Sequence, residues 1–213
     1  MKYIDISPLI CAETAVFPGD TLFKRDISLS FEQKNPYLLS SMITTMHIGA
    51  HADGSNHYHK DGVGIDQRDL KYYMGPCQVI QVKKKRGQRI FPDDIQKTKI
   101  KAPRILFRTD SFPNPNKWNG DFNSLSPDLI HYLAKKKVML VGIDTPSVDS
   151  ADAKDLTTHH AIYKNNFAIL EGLVLSKVKT GIYHLIALPL RIKDADASPV
   201  RAVLLPKLRK LSP

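Results

Sequence analysis

Residues 47–59 of the chain read HIGAHADGSNHYH, and they hold four of its eight histidines. If residues 42–51 form one continuous strand, side chains two positions apart point to the same face of the sheet. His47, His51 and Asp53 then share a face, and two imidazoles with a carboxylate are a ligand set suited to zinc or manganese. The stretch therefore predicts a metal site at the end of a strand.

Small residues complete this pattern. Gly49 leaves space for an ion between the two histidines, and the Gly54-Ser55 pair allows a turn that returns His57 to the same site. Hydrogen-bonded histidines on an ordinary polar face are the alternative interpretation. His59 lies beyond the pattern, and we expect it at the surface.

A second group of possible ligands follows in residues 158–173, THHAIYKNNFAILEGL. It contains His159, His160 and Glu171, and the glutamate lies in an apolar segment with the composition of a strand. A buried carboxylate without a partner is costly, and a cation is its simplest partner. An ion pair between Glu171 and a lysine remains the alternative.

The length and composition predict one domain over residues 1–213. No apolar run reaches the roughly 18 residues of a transmembrane helix. The chain begins MKYIDISPLICAETAVFPGD, which lacks the apolar segment of a secretory signal. Two cysteines, Cys11 and Cys77, are too few for a disulfide framework and are typical of a reducing compartment. We therefore predict a cytoplasmic protein without a membrane partner.

The net charge of +10 is the feature that would indicate binding to nucleic acid. The excess of basic residues falls in separate groups at 83–86, 135–137 and 201–210. No aromatic residues interleave them, and no helix-turn-helix or RNA-binding signature accompanies them. We predict a solvated basic surface and no nucleic-acid partner, with a polyanion site as the alternative.

The order of predicted elements indicates a single mixed α/β domain with a curved, barrel-like β-sheet core and flanking helices. Ser126, Pro127 and Asp128 are typical of a helix N-terminus, and shorter helices are expected at 93–95 and 159–165. No GxGxxG or P-loop motif opens a helix, which excludes the common nucleotide-binding folds. Strands are predicted at 41–48, 78–83, 104–108, 138–143, 167–170, 183–190 and 201–205.

The chain resembles the cyclase-like metal-dependent hydrolases, and within them the bacterial kynurenine formamidases. Their signature is His-x-Gly-Thr/Ala-His-x-Asp-x-Pro-x-His, which residues 47–57 match except for Ser55 at the proline position. The resemblance covers nearly the full chain in order. It includes YIDIS (3–7), VFPGDT (16–21), YMGPCQVI (73–80), FRTDS (107–111), VGIDTPSVD (141–149), AILEGLVL (168–175) and IALPLRIKDADASPVRAVL (186–204).

This resemblance implies two divalent metal ions, most simply zinc with manganese as the second choice, in a cyclase-like fold that forms a homodimer or larger assembly. It implies that Asp53 bridges the two ions and that His57 is the catalytic acid/base. Phe17 stands where the formamidases usually have a substrate-lining tryptophan. The implied ligands are His47, His51 and Asp53 for one ion and Asp53, His159 and Glu171 for the other.

The implied reaction is hydrolysis of N-formyl-L-kynurenine to L-kynurenine and formate. In this hypothesis a metal-bound hydroxide attacks the formyl carbon, and His57 passes a proton to the leaving aryl amine. In VGIDTPSVD, we expect four residues to shape the pocket or brace the ligands, with a turn after a buried strand as the alternative: Asp144, Thr145, Pro146 and Asp149. Arg201 is a weaker candidate for a structural or carboxylate contact. The alternatives are a related amide or lactam hydrolase, favoured by Phe17 and Ser55, and a non-catalytic metal-binding module.

Overall fold

A computed structural model of the chain describes residues 3–206. The helices are α1 (Pro127–Lys135) and α2 (Thr157–Lys164), and neither has the length or the apolar character to cross a bilayer. The strands are β1 (Ile4–Asp5), β2 (Lys24–Leu29), β3 (Leu39–Ile43), β4 (His51–Asp53), β5 (Met74–Gln81), β6 (Arg89–Ile90), β7 (Arg104–Arg108), β8 (Ser124–Leu125), β9 (Leu140–Ile143), β10 (Ala168–Glu171), β11 (Gly181–Ile186), β12 (Ala197–Pro199) and β13 (Val203–Pro206).

Nine strands form one curved half-barrel sheet in the order β1-β13-β11-β5-β7-β9-β10-β4-β12. The central strands β5, β7, β9 and β10 are parallel, whereas the flanking strands pair antiparallel. Parallel strands covered on both faces read as continuous apolar runs, which explains LVGI in β9 and AILE in β10. The predicted mixed α/β fold with a barrel-like sheet is confirmed.

Two apolar clusters cover the faces of this sheet. One includes Leu170, Leu185 and Leu204, and the other packs α1 and α2 against the sheet through Leu133 and Ile162. Helix α1 begins as the sequence predicts, because the Ser126 hydroxyl accepts the Leu129 N–H at 3.1 Å. The helix predicted at 159–165 is α2, and residues Pro92–Ile95 form a single 3₁₀ turn.

The strand predicted at 41–48, and with it the continuous strand at 42–51, is wrong. Strand β3 ends at Ile43, a turn follows, and the chain becomes extended again only at His51. Gly49 has a φ of 59°, a left-handed conformation that breaks a strand and that glycine adopts at low cost. His47 therefore reaches the site from a turn and not from alternation along one strand.

Outside the large sheet, β2 and β3 form an antiparallel two-stranded hairpin. Every residue of β3 is exposed, and most of β2 is exposed as well. Strands β6 and β8 make a second, short parallel pair. The hairpin thus presents apolar side chains to the surroundings, which an ordinary surface strand does not.

Candidate metal centre

Strand β4 brings the first two predicted ligands into the interior. His51 and Asp53 are each 1% exposed. β4 lies between β10 and β12, and its antiparallel register places His51 directly opposite Glu171. Neighbouring residues across a strand pair lie within side-chain reach, and the Nε2 atom of His51 lies 3.1 Å from Glu171 Oε2.

The other predicted ligands approach Asp53 from different elements. His47 extends from the turn before β4, with Nδ1 3.4 Å from Asp53 Oδ1. His159 extends from α2, with Nε2 3.6 Å from Asp53 Oδ2 and 3.7 Å from Glu171 Oε1. All five residues predicted as ligands therefore lie together, although they are far apart in the chain.

Asp53 lies at the centre of this group, and its carboxylate lacks hydrogen-bond partners among the described residues. Both carboxylate oxygens are buried, and neither has a hydrogen-bond partner within residues 3–206. An unpartnered buried carboxylate is costly unless a cation compensates it. The ligand atoms of His47, His51 and Asp53, and likewise those of Asp53, His57 and His159, lie within 4.8 Å of one another. His47, His51 and Asp53 fit a divalent metal ion, and His159 lies beside both Asp53 and Glu171 as a further donor.

In His47, His51 and His159, the ring nitrogen that faces away from Asp53 contacts a hydrogen-bond acceptor. The Nδ1–H of His51 donates to the carbonyl of Gly49 at 2.9 Å, and that of His159 donates to the Asp149 carboxylate at 2.9 Å. Such contacts fix which nitrogen a histidine offers to a metal. His51 and His159 thus present Nε2 toward the carboxylates. For His47 the acceptor is Asp196, whose Oδ2 lies 3.2 Å from Nε2.

The carboxylates shift the pKa values of these histidines. Burial lowers the pKa of His47, but the nearby Asp53 carboxylate outweighs it and raises the pKa to about 9. Burial likewise opposes a charge on His159, whose pKa nevertheless rises to about 10 because Asp149 and Asp53 are its partners. Burial raises the pKa of Asp53, and the surrounding histidines then hold it well below its usual value.

His57 has a different environment from the ligands. It ends a 3₁₀ turn, Ser55–His57, and its side chain is 34% exposed. Its ring centroid lies 4.2 Å from that of His47. Burial lowers the pKa of His57, with only partial compensation from Asp53. Its imidazole is therefore neutral at pH 7.

The remaining histidines of the two motifs lie outside the centre. His59 stacks on Tyr163 with ring centroids 3.7 Å apart, and its side chain is 28% exposed, which agrees with the predicted surface location. His160 follows His159 on α2 but is exposed. Of this adjacent pair, only His159 faces Asp53, because residues one position apart lie on different faces of a helix.

An apolar cavity opens beside His47 and His51, and Phe17 lines it. The ring of Phe17 packs edge-on against Trp118, with centroids 4.7 Å apart. Phe112 also lines the cavity and packs against Trp118. Sequence reasoning missed Phe112 and Trp118, although the clustering of three aromatic residues in FPNPNKWNGDF (112–122) was a signal for them.

Residues 141–149 divide between the two roles expected of them. Asp144 lines the cavity and accepts the Thr109 hydroxyl at 2.6 Å, and burial raises its pKa. Asp149 braces the ligand group because it accepts both the backbone N–H and the Nδ1–H of His159. Its hydrogen bond with that histidine lowers the pKa of Asp149 against the opposing effect of burial. Arg201 pairs with Asp5, so its contact is structural.

Two of the basic groups are partly paired with carboxylates or lie partly outside the described residues. Within 83–86, Lys84 pairs with Asp94 at 2.7 Å and Arg86 pairs with Asp121 at 2.5 Å. The end of the group at 201–210 lies beyond residue 206 and therefore outside the described residues. Carboxylates on the same surface thus neutralise part of the first basic group.

The family model described as "Putative cyclase" matches residues 4–150. The chain belongs to the Cyclase family. The kynurenine formamidase of Bordetella pertussis (strain Tohama I) is 42% identical over 201 residues, which cover 94% of this chain and 96% of that relative. The protein of the same name from Bordetella petrii is 40% identical over the same shares of both chains.

Solved structures with the same fold agree with membership of the Cyclase family. A "potential metal-dependent hydrolase with cyclase activity" superimposes with a TM-score of 0.82 at 26% identity, covering 95% of this chain and 96% of that one. An isatin hydrolase bound to thioisatinate gives a TM-score of 0.80 at 23% identity, covering 97% of this chain and 93% of the other. At that identity the second similarity shows the fold alone.

Proposed function

We propose that the protein hydrolyses N-formyl-L-kynurenine to L-kynurenine and formate and that residues 1–213 act as one hydrolase domain. The observation that carries the proposal is the buried carboxylate of Asp53, which has no hydrogen-bond partner in the described chain and faces three histidines. The substrate comes from the name of the Bordetella relatives, which align with 94% of the chain.

The ligand roles in this proposal follow the contacts around Asp53. One divalent ion would be held by His47, His51 and Asp53, and a second would be held by Asp53, His159 and Glu171. Imidazole nitrogens with carboxylate oxygens suit zinc first and manganese second. Such an ion lowers the pKa of water toward about 7 and polarises a carbonyl oxygen.

His57 carries the proton in the proposed reaction. Because burial lowers its pKa, the ring is neutral at pH 7 and can accept the proton that the attacking water loses. A carbon–oxygen bond then forms at the formyl carbon, and the carbon–nitrogen bond to the aryl amine breaks. The proton held on His57 passes to that nitrogen, so that formate and the free amine leave. Its position beside His47, with ring centroids 4.2 Å apart, supports this role.

The cavity beside His47 and His51 is the proposed substrate site. Phe17, backed by Trp118, offers a fixed aromatic wall against which an aniline ring can pack. Phe112 and Pro146 extend the apolar lining. Aromatic pairs contribute about 0.5–1.5 kcal/mol beyond the burial of their area, so this wall favours a flat aromatic amide over an aliphatic one.

A cyclic-amide hydrolase is the second candidate. Phe17 supports it, because it stands at the position where the formamidases usually carry tryptophan, and phenylalanine donates no hydrogen bond. The metal chemistry is the same for both candidates. The substrate separates them, since a lactam keeps its amine and acid in one product whereas the formamide releases formate.

We also propose that the protein is a homodimer or larger assembly, with the hairpin β2–β3 as its contact. An isolated two-stranded hairpin is at best marginally stable in water, and contiguous apolar patches mark interaction sites. A second copy packed on the hairpin would bury these side chains, and light scattering would give the mass. The exposed apolar residues at or beside the hairpin are Leu22, Ile27, Phe31, Tyr37, Leu38, Leu39, Met42 and Ile43.

A cytoplasmic location is part of the same proposal. The two cysteines, Cys11 and Cys77, are free thiols, as is usual in a reducing compartment. Burial also raises the pKa of the Cys77 thiol to about 12, so this thiol stays protonated. Fractionation of cells that express the protein would test the location.

The experiment that tests the function is hydrolysis of N-formyl-L-kynurenine followed through kynurenine absorbance. Zinc- or manganese-loaded wild type and His57→Ala are compared, each with and without chelator. We expect chelator to abolish turnover and His57→Ala to lower kcat by about 10²–10⁴-fold without loss of metal. His131→Ala is the matched control, because His131 is exposed on α1 and lies outside the centre.

The outcomes separate the candidates. No turnover by metal-loaded wild type would overturn the formamidase proposal. Turnover of cyclic amides from a small panel would then favour the second candidate. Tight metal binding without hydrolysis of any amide in the panel would favour a non-catalytic metal-binding module.

A further inference from the structure

Asp196 is a carboxylate that contacts two histidines of the centre and that neither the sequence motifs nor the proposed ligand set includes. Its Oδ2 lies 3.2 Å from His47 Nε2 and 3.9 Å from His57 Nδ1. Its side chain is 50% exposed, yet in the described part of this basic chain no lysine or arginine lies within 4.0 Å of it. Its partners there are the two histidines.

The fold fixes Asp196 relative to the loop that carries His57. Asp196 directly precedes β12, and its carbonyl accepts the N–H of Gly54 at 2.8 Å. Two residues earlier, the carbonyl of Asp194 accepts the side-chain amide of Asn56 at 3.1 Å. Both anchors lie in the segment just before His57. The carboxylate and the histidine therefore belong to one hydrogen-bonded unit.

Gly54 is required for this close approach. A Cβ atom built there would lie 3.0 Å from the carbonyl oxygen of Ala195 and 2.8 Å from the backbone nitrogen of Ile65. Ile65 itself donates its N–H to Ala195 at 2.9 Å, which adds a third anchor between the two segments. A side chain at position 54 would separate these segments and move Asp196 away from both histidines.

We propose that Asp196 is a positioning residue that holds His47 and His57 together: it accepts the Nε2–H of His47, which leaves Nδ1 to face Asp53 and the metal, and it orients the ring of His57. The inference rests on the proposed function for its effect on turnover. Its effect on His47 requires only that the centre binds a metal.

The other two histidines support this assignment by comparison. The carbonyl of Gly49 holds His51, and the carboxylate of Asp149 holds His159, each through the nitrogen that faces away from Asp53. Asp196 is the corresponding acceptor for His47. It differs in that the same carboxylate also faces His57, so one side chain positions a metal ligand and the residue that carries the proton.

The experiment compares Asp196→Ala, Asp196→Asn and Asp196→Glu with wild type by zinc affinity in chelator competition and by kinetics. Loss of an acceptor behind a metal ligand lowers metal affinity by about 10–100-fold. We expect Asp196→Ala to show that loss together with a lower kcat at nearly unchanged KM, and Asp196→Asn to recover part of the affinity because its amide oxygen can accept the same hydrogen bond. Asp194→Asn is the matched control.

A spectroscopic measurement separates positioning from general damage to the fold. Long-range ¹H–¹⁵N correlation of the histidine rings in the zinc-loaded protein should show His47 as the Nε2–H tautomer in wild type. In Asp196→Ala this tautomer should no longer be fixed, whereas the signals of His51 and His159 should stay in place.

Two outcomes would overturn the inference. The first is that Asp196→Ala matches wild type in zinc affinity, in the His47 tautomer and in kcat. The other is an equal loss in the Asp194→Asn control, which would indicate disturbance of the loop. If wild type does not hydrolyse N-formyl-L-kynurenine, the proposed function fails, and the zinc affinity and tautomer still decide the role of Asp196 toward His47.

Discussion

The two halves of the candidate metal centre differ in how their side chains are held. The inner half lies on β4, α2 and β10, and its side chains are at most 4% exposed. The outer half lies on turns and a loop, with side-chain exposures of 15%, 34% and 50%. The inner half comprises His51, His159 and Glu171, and the outer half comprises His47, His57 and Asp196.

This difference separates two tasks. Residues on regular elements, locked by packing and hydrogen bonds, hold a geometry with little loss of entropy when a metal binds. Residues on turns are more exposed and can adjust to a bound molecule. The inner half is therefore suited to hold an ion rigidly, whereas the outer half, which adds His47 to the ligand set, is suited to adjust to a bound molecule.

The largest effect is expected where the two halves meet, at Asp53. Among the described residues, Asp53→Asn removes the one carboxylate that lies within 4.0 Å of all three histidines, His47, His51 and His159. We expect loss of both metals and a fall in kcat/KM of at least about a thousandfold, measured by elemental analysis and by the formamide assay. Asp61→Asn, at an exposed position in the segment that follows β4, is the control. Full metal content in Asp53→Asn would contradict the shared-ligand role.

The sequence predicted which residues form the centre more accurately than it predicted the backbone conformation around them. The spacing of His47, His51 and Asp53 indicated a metal site, and these side chains do converge, but through a turn at Gly49 and not along one strand. The prediction of the ligand residues holds although the predicted strand is wrong, because a metal site requires only that the ligand atoms lie close together. The prediction of the strand depended on an extended backbone, and Gly49 at positive φ interrupts that conformation.

The parts that the sequence did not indicate depend on long-range contacts. Asp196 is 149 residues from His47, and its place follows from the pairing of β12 with β4. Trp118 is 101 residues from Phe17, and their ring centroids lie 4.7 Å apart. The aromatic cluster at 112–122 marks Trp118 in the sequence but not its contact with Phe17, whereas only the sheet topology reveals the place of Asp196. The exposed β2–β3 hairpin likewise follows from tertiary packing.

A second prediction compares Asp149, the carboxylate that contacts His159, with Asp196, the carboxylate that contacts His47. Every group around Asp149 is a donor, including the Thr158 N–H, the His159 N–H and the Arg89 guanidinium. Asp149→Asn therefore places an amide N–H₂ in a buried site that offers it no acceptor. We expect zinc affinity to fall by about 10–100-fold.

The side chain at position 196 is half-exposed, so water can solvate the amide of Asp196→Asn. The fall in zinc affinity should therefore be smaller for Asp196→Asn than for Asp149→Asn. Chelator competition on both variants measures the difference. Equal losses at the two positions would mean that burial does not distinguish the halves.

The smallest effect, taken per unit of pH, is the change of zinc affinity with pH, and it tests the raised histidine pKa values that both halves share. In the metal-free protein the pKa values of His47 and His159 are about 9 and about 10, so both are protonated at pH 7. A metal binds only the neutral ring, so each ion displaces one proton. Zinc affinity should rise about tenfold per pH unit through the neutral range for each ion and level off as pH passes 9 to 10.

The same pKa shifts set the stability of the metal-free protein. A histidine whose folded pKa is raised stabilises the fold fully below its unfolded value of about 6.5 and loses that contribution as pH rises through the folded value. Metal-free protein should therefore lose thermal stability between neutral pH and pH 9 to 10 relative to the zinc-loaded protein, in which both rings are already neutral. Calorimetry in two buffers of different ionisation enthalpy would count the released protons. Affinity that stays flat from pH 6 to 8 would mean that the histidines are neutral before the metal binds, and that Asp53 is not their counter-charge.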